Sequence, residues 1–198
     1  MSLAGITTPM TASAHSTQPL VQACLLGWAG VEMLLWLRNR GGNTAPDLTF
    51  GLVVASVAAG VNLAFRAAHD PATATGGGLA VTAAGLAAFI LGVALRTWAI
   101  LALGHLFKFV VVIQEDHRVV SSGPYRLVRH PSYSGGLLAL AGAGIALHNW
   151  ISIVAAAGVP LLAILIRIAV EEARLTRDLG EDYRRYARCT KRLIPGVW

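Results

Sequence analysis

Residues 135–170 read GGLLALAGAGIALHNWISIVAAAGVPLLAILIRIAV. An apolar run over 135–147 pauses at His148-Asn149-Trp150 and resumes over 151–170. A helix needs roughly 20 residues to cross the hydrocarbon core of a bilayer, so the first arm, at thirteen residues, is short for a full crossing. A short apolar arm, a polar break and a longer apolar arm describe a tight helical hairpin set in a membrane. Pro160 takes one backbone hydrogen bond out of the second arm and predicts a kink there.

The rest of the chain supports that setting. Of 198 residues 55% are hydrophobic and only 13% are charged, with a mean hydropathy of +0.60, more apolar surface than one soluble core can hide. Three further runs of crossing length precede the hairpin, at 20–37, 48–65 and 79–103. The fold class is therefore all-α: a polytopic membrane protein of about five transmembrane helices, the last two forming the hairpin, followed by a cytoplasmic C-terminal helix. With the N-terminus outside, the inside segments 38–47, 104–134 and 171–198 hold two, four and seven Lys or Arg, whereas the outside segments hold Arg66 alone. That asymmetry fits the positive-inside rule. The first nineteen residues carry no Lys, Arg, Asp or Glu, so they can be translocated, and they lack the basic start of a cleavable signal peptide. The net charge of +6 sits where anionic lipid headgroups attract it, which argues for membrane lipids and against nucleic acid as partners. Cys24 and Cys189 have neither disulfide-framework nor zinc-site spacing. Glycines 27, 30, 51, 60, 85, 92, 136, 142 and 144 lie in the spans and are expected to let helices approach closely.

Two ionisable residues fall inside early spans, Glu32 and Arg96, and such groups are functional candidates. The milder reading, a place near a helix end or against a neighbouring helix, is preferred for Arg96, whose long side chain can snorkel. The remaining polar chemistry lies on the inside face. In GPYRLVRHPSYSGG, residues 123–136, the Ser121-Ser122-Gly123-Pro124 turn leads to Arg129-His130-Pro131. Pro131 suits the first turn of a helix and His130 its cap, leaving free amides that attract an anionic group. Arg167 and Glu171 are four apart and share a helix face, with Glu172 turned aside. If the hairpin closes, residues 130–134 and 167–172 lie at the same depth and converge on one inside-facing pocket. Tyr183 and Tyr186, with Leu175 and Leu179, are expected to pack the tail helix against the membrane face, with Gly180 interrupting that helix at some cost. The tail arginines are expected to address lipid headgroups. His15, His69, His105 and His148 read as loop or interface residues. His117 and His130 match no standard metal spacing, so no metal site is expected.

The run GPYRLVRHPSYSG, the apolar hairpin and RIAVEEARLTRDLGEDYRRYARCTKRLIPG that follows it closely resemble the isoprenylcysteine carboxyl methyltransferase family, which is related to the phospholipid methyltransferases. The likeness rests on an R-H-P-x-Y-x-G element and a Glu-Glu pair separated by a hydrophobic hairpin, and it covers about residues 90–198. Residues 1–89 then form an N-terminal extension with two spans and an outside loop, and 90–198 the methyltransferase core. The resemblance implies an integral membrane, S-adenosylmethionine-dependent methyltransferase built from helices. It also implies that the cofactor is contacted by Gln114, by His117-Arg118-Val119-Val120, by Tyr125, by His130-Pro131-Ser132-Tyr133 and by Glu171, with Arg167 placed toward the methyl acceptor. Arg167 and Glu171 are the implied catalytic residues.

These residue types suit that chemistry. A carboxylate such as Glu171 can hold the ammonium of an amino-acid cofactor, helix amides can hold its carboxylate, and tyrosine faces favour a sulfonium by about 0.5–2 kcal/mol. A carboxylate acceptor is already ionised, and Arg167 can orient it by a forked contact. An amine acceptor has to lose a proton, with His117 or a glutamate as base. The expected function is methyl transfer to a lipophilic acceptor entering sideways from the bilayer, most simply the carboxylate of an isoprenylcysteine-like or lipid-modified molecule. The alternatives are N-methylation of a phospholipid or other lipid amine, or a non-catalytic membrane binding protein of the same fold. The expected location is a bacterial inner membrane, with the site and C-terminus cytoplasmic.

Overall fold

The computed structural model describes residues 10–38, 48–104 and 119–198. The elements are α1 (Met10–Arg38), α2 (Leu48–Ala67), α3 (Leu79–Leu103), α4 (Pro131–Ala146), α5 (Trp150–Ile153) and α6 (Val159–Cys189), with 3-10 turns at Pro71–Thr73 and Gly123–Arg126. Among the described residues extended pairing is limited to isolated bridges, Ala74 with Asn149 and Val128 with Lys191. The fold is all-helical, as the apolar runs require.

Among the described residues four helical stretches are long and apolar enough to cross a membrane: Thr17–Arg38, Leu48–Ala67, Leu79–Leu103 and Trp150–Cys189. The fifth apolar segment is α4, whose 16 residues span about 24 Å at 1.5 Å per residue, short of a hydrocarbon core of about 30 Å. Large apolar side chains such as Leu34, Leu48, Leu79 and Leu162 stand exposed on the outer surface. That is the expected finish for helices that face lipid.

The kink expected at Pro160 takes the form of a π turn at Val154–Gly158, immediately ahead of Pro160 at the start of α6. Proline supplies no N–H to the preceding turn, and a wider turn is one way a helix absorbs that loss. The π turn packs on α2 at Gly60, where a Cβ would stand 2.6 Å from the Ala155 carbonyl oxygen.

Residues 148–149 break the hairpin as expected, and they are buried. Asn149 caps α5 by accepting from the Ser152 amide at 3.1 Å, while its Nδ2 donates to the Ala67 carbonyl at 2.9 Å and to Thr73 Oγ1 at 2.5 Å. The His148 ring lies 2.7 Å from Thr82 Oγ1. The break thus ties the hairpin to the end of α2 and the start of α3.

The short arm α4 lies along α3. Its seam is made by glycines one heptad apart on each helix, Gly85 and Gly92 on α3 with Gly135 and Gly142 on α4. A Cβ on Gly85 would meet the Ala146 nitrogen at 2.6 Å, and one on Gly135 would meet the Arg96 nitrogen at 2.6 Å. In lipid, where no hydrophobic force draws helices together, such close backbone approach supplies the packing energy. The small-residue expectation holds for this seam and fails for Gly27, Gly30 and Gly51, where an added Cβ meets nothing within 4 Å. Glycine content shows that a span permits close contact, not which face receives it.

Gly92→Leu should force α3 and α4 apart and cost about 1–3 kcal/mol or more, read as a lower melting temperature in detergent. Gly27→Leu, facing open space, should leave the melting temperature unchanged within error.

Candidate functional site

The site is built where α4 begins. Pro131 stands in the first turn of α4, and His130 occupies the cap position with φ −123°. Its carbonyl accepts from the Tyr133 and Ser134 amides, both at 3.1 Å. The His130 ring makes no capping bond. It is buried instead, with Nε2 3.2 Å from Glu172 Oε1, and it stacks on the Tyr133 ring at a centroid distance of 5.7 Å.

Tyr133 then reaches α6. Arg167 Nε donates to the Tyr133 hydroxyl at 2.7 Å, and that hydroxyl donates to Glu171 Oε2 at 3.0 Å. Arg167 is buried, donates through Nη1 to Thr49 Oγ1 of α2 at 2.9 Å, and places its guanidinium 5.6 Å from the centre of the Phe50 ring. Residues 130–134 and 167–172 therefore do converge, as the closed hairpin requires.

Glu172, one residue on and so turned about 100° around the helix, faces a different set of cations. Arg129 Nε donates to it at 2.8 Å and Arg192 Nη2 at 2.9 Å, beside the His130 contact. Arg129 also donates to the Ala187 carbonyl at 2.9 Å and to the Thr190 carbonyl. The backbone joins in: the Arg129 and His130 amides donate to the Lys191 and Arg192 carbonyls at 2.7 and 3.0 Å. The chain after α6 is thereby sewn to the entrance of α4. Arg192, expected at lipid headgroups, is spent on this clamp, and Arg188 pairs with Glu181 at 2.7 Å.

Above the clamp opens a cavity of about 900 Å³, at the upper end of the range for small-molecule sites. Of the residues predicted for the site, Val119, Val120, Tyr125, His130, Ser132, Tyr133, Arg167 and Glu171 line it, while Pro131 is buried behind them. Gln114, His117 and Arg118 lie outside the described residues. Tyr125 is fixed at both ends, its hydroxyl donating to the Ala99 carbonyl at 3.3 Å and its own carbonyl accepting from Tyr186 at 2.7 Å. Burial, and then the neighbouring Glu171 carboxylate, push its phenol well above the ordinary value, so it serves as a neutral ring.

The structure corrects one expectation and bears out another. Leu175, Leu179, Tyr183 and Tyr186 line the cavity and do not pack the tail on the membrane face. For Tyr183 and Tyr186 the cause is Gly180, with φ +56° and ψ −127°, a left-handed backbone that glycine adopts freely; it bends α6 so that its last turns fold back over the site. Arg96 stands against a neighbouring helix, as its preferred reading has it. It pairs with Glu32 across the cavity wall, Nε to Oε1 at 2.5 Å and Nη2 to Oε2 at 2.7 Å.

The protein matches the model of the isoprenylcysteine carboxyl methyltransferase (ICMT) family over residues 84–177. It is similar to protein-S-isoprenylcysteine O-methyltransferase B of Arabidopsis thaliana, 38% identical over 115 residues that cover 57% of this chain and 58% of that protein. To the protein-S-isoprenylcysteine O-methyltransferase of Schizosaccharomyces pombe it is 34% identical over 107 residues, covering 53% and 45%. Among solved structures it resembles the eukaryotic intramembrane Ras methyltransferase ICMT, with a TM-score of 0.68 and 24% identity over 97% of this chain and 70% of that one; at that identity the likeness is one of fold. The chain spans less than two thirds of the length of these curated relatives. The family model thus covers just under half of the chain, and the long apolar helices mark the chain as an integral membrane protein.

Glu172→Ala should be among the most destabilising single changes, because it leaves the largely buried Arg129 guanidinium without its anion. Loss of one partner from a buried pair costs about 3–5 kcal/mol, read as a fall in melting temperature together with protease sensitivity after residue 187.

Proposed function

We propose that this protein is a membrane methyltransferase that moves a methyl group from S-adenosylmethionine to a lipophilic acceptor, the carboxylate of an isoprenylcysteine-like molecule or of a lipid-modified protein. The observation that carries this reading is the join of Arg167, Tyr133 and Glu171 in a cavity whose lining is otherwise mostly apolar and aromatic.

The residues present fit such a donor. Glu171 offers a carboxylate to an ammonium group. The rings of Tyr125, Tyr133, Tyr183 and Tyr186, which line the same cavity, favour a sulfonium. His130, Ser132, Val119 and Val120 complete that wall, and Gln114, His117 and Arg118 are assigned to it by resemblance. When bound, the donor supplies an electrophilic methyl group. Arg167, buried and held by Tyr133 and Thr49, presents a fixed guanidinium that orients an incoming carboxylate. An acceptor carboxylate is ionised near neutral pH, so no residue has to remove its proton; the protein contributes chiefly by alignment, worth roughly 7–11 kcal/mol where geometry is well set.

The apolar stretch of the cavity between α1 and α2 suits a hydrocarbon tail entering from the bilayer. In this reading residues 90–198 carry the chemistry and residues 1–89 supply the wall that receives the tail. The excess of Lys and Arg on one side supports an inner-membrane protein with the site facing the cytoplasm.

Purified protein should melt at a higher temperature with S-adenosylhomocysteine and not with NADPH, since a ligand that binds only the folded state stabilises it. Labelled methyl should appear on a prenylcysteine analogue, and label confined to extracted phospholipid would instead identify an amine acceptor. Glu171→Gln should weaken S-adenosylhomocysteine binding roughly tenfold or more, as loss of a charged hydrogen bond does. Arg167→Ala should spare that binding and impair use of the acceptor. Equal cofactor affinity in wild type and Glu171→Gln would refute the role given to Glu171.

A further inference from the structure

The pair Glu32–Arg96 lies outside the machinery just described, and its geometry is that of a fastener. The guanidinium fork meets both carboxylate oxygens, at 2.5 and 2.7 Å, and the two side chains are only 16% and 23% exposed. Trp28, one turn earlier on α1, donates to Glu32 Oε1 at 3.0 Å and holds the carboxylate in place. Arg96 spends its remaining reach on the Ser132 carbonyl, through Nη1 at 3.2 Å.

The wall beside this pair is a single stripe of α1. Leu25, Ala29, Met33 and Trp36, spaced by three or four residues and so on one helix face, all line the cavity. Most of α1 is exposed; it packs on the other helices through the turns before Glu32, at Val21, Cys24, Leu25 and Trp28, the last meeting the Phe89 ring edge-on at 6.0 Å, whereas Met33, Leu34 and Leu37 beyond Glu32 stand exposed. In a bilayer nothing hydrophobic presses such a helix against the cavity, because lipid tails are as apolar as the cavity wall. Two opposite charges left apart in hydrocarbon are costly, whereas joined they attract strongly.

We propose that the Glu32–Arg96 ion pair is a latch that holds α1 as the lateral wall of the cavity and thereby sets how tightly a long apolar acceptor tail is gripped. Glu32 and Arg96 are positioning residues, and the inference rests on the proposed acceptor reading. The two halves of the latch differ. Loss of Glu32 frees α1 alone, whereas loss of Arg96 also releases the first turn of α4 and with it Tyr133.

Glu32→Gln should raise KM for a prenylcysteine acceptor about tenfold, the scale of coupling between contacting charges, and should raise KM more than it lowers kcat. S-adenosylhomocysteine affinity should stay at the wild-type value. The exchange Glu32→Arg with Arg96→Glu should recover most of the lost KM, which a merely weakened fold would not do. A second measurement needs no turnover: spin labels at the lipid-facing Leu34 and Leu91, with Cys24 and Cys189 changed to Ser, should give one narrow distance in the otherwise native protein. Glu32→Gln should broaden it, and the charge exchange should narrow it again. Unchanged distances, or broadened distances with an unchanged KM, overturn the latch while leaving methyl transfer intact. Absence of methyl transfer in the native protein would instead overturn the function, and the latch would then stand or fall on the distances.

Discussion

The Tyr133 hydroxyl accepts from Arg167 at 2.7 Å and donates to Glu171 at 3.0 Å, and through this one oxygen the first turn of α4 is joined to the inner part of α6. The join tolerates little error. Rotating α4 by one residue would swing the phenol about 100° away, and sliding it by one turn would displace it about 5.4 Å. What sets both values is the glycine seam with α3, where backbone meets backbone with no side chain to give way. Gly135 and Gly142 fix the depth of the short arm, and the depth of the short arm decides whether a site exists.

A low-dielectric setting makes every charge here an obligation. Arg96 is answered by Glu32, Arg129 and Arg192 by Glu172, and Arg167 by the Tyr133–Glu171 link and by Thr49. Each set bridges segments far apart in the chain: α1 to α3, the entrance of α4 to the segment after α6, and α4 to α6 and α2. Charges that would be a burden in an ordinary core serve as the long-range ties of a protein whose helices otherwise have lipid on most sides. The same logic applies at the opposite end of the hairpin, where Asn149 satisfies the ends of α2 and the Pro71–Thr73 turn with one buried amide.

The hairpin and the meeting of its two polar ends were legible in the sequence, because run length measures against bilayer thickness and because Arg167 and Glu171 carry their spacing on one helix. Three features were not. The Glu32–Arg96 pair joins residues 64 apart whose helices show no periodicity that would set one against the other. Tyr183 and Tyr186 fit the pattern of a tail helix lying on the membrane, and only the left-handed backbone at Gly180 turns them inward; a glycine in a helix announces a weakness without its direction. The partner of α4 was also hidden. Neighbouring arms of a hairpin are the natural guess for the closest contact, yet the seam runs to α3, where the glycine spacing of seven matches on both helices.

The adjacent glutamates show how one dipeptide enters two different surroundings. Consecutive residues on a helix point about 100° apart, so Glu171 and Glu172 enter different surroundings although nothing in their identity separates them. Glu172 has both oxygens committed, Oε1 to Arg129 and His130 and Oε2 to Arg192, and its side chain is 14% exposed. Glu171 accepts from the Tyr133 phenol, a neutral donor, through Oε2, lies 3.9 Å from the His130 ring, keeps a side chain 28% exposed and lines the cavity. A carboxylate saturated by cations has little left to offer a ligand, whereas one met by a phenol retains charge and lone pairs for a cationic group. His130 lies between them, with Nε2 at Glu172 and Nδ1 toward Glu171, so the clamp that closes the fold also sets the floor of the site. The arrangement needs the full Glu-Glu pair: with the first residue alone the chain after α6 loses its anchor, and with the second alone the Tyr133 hydroxyl loses its acceptor.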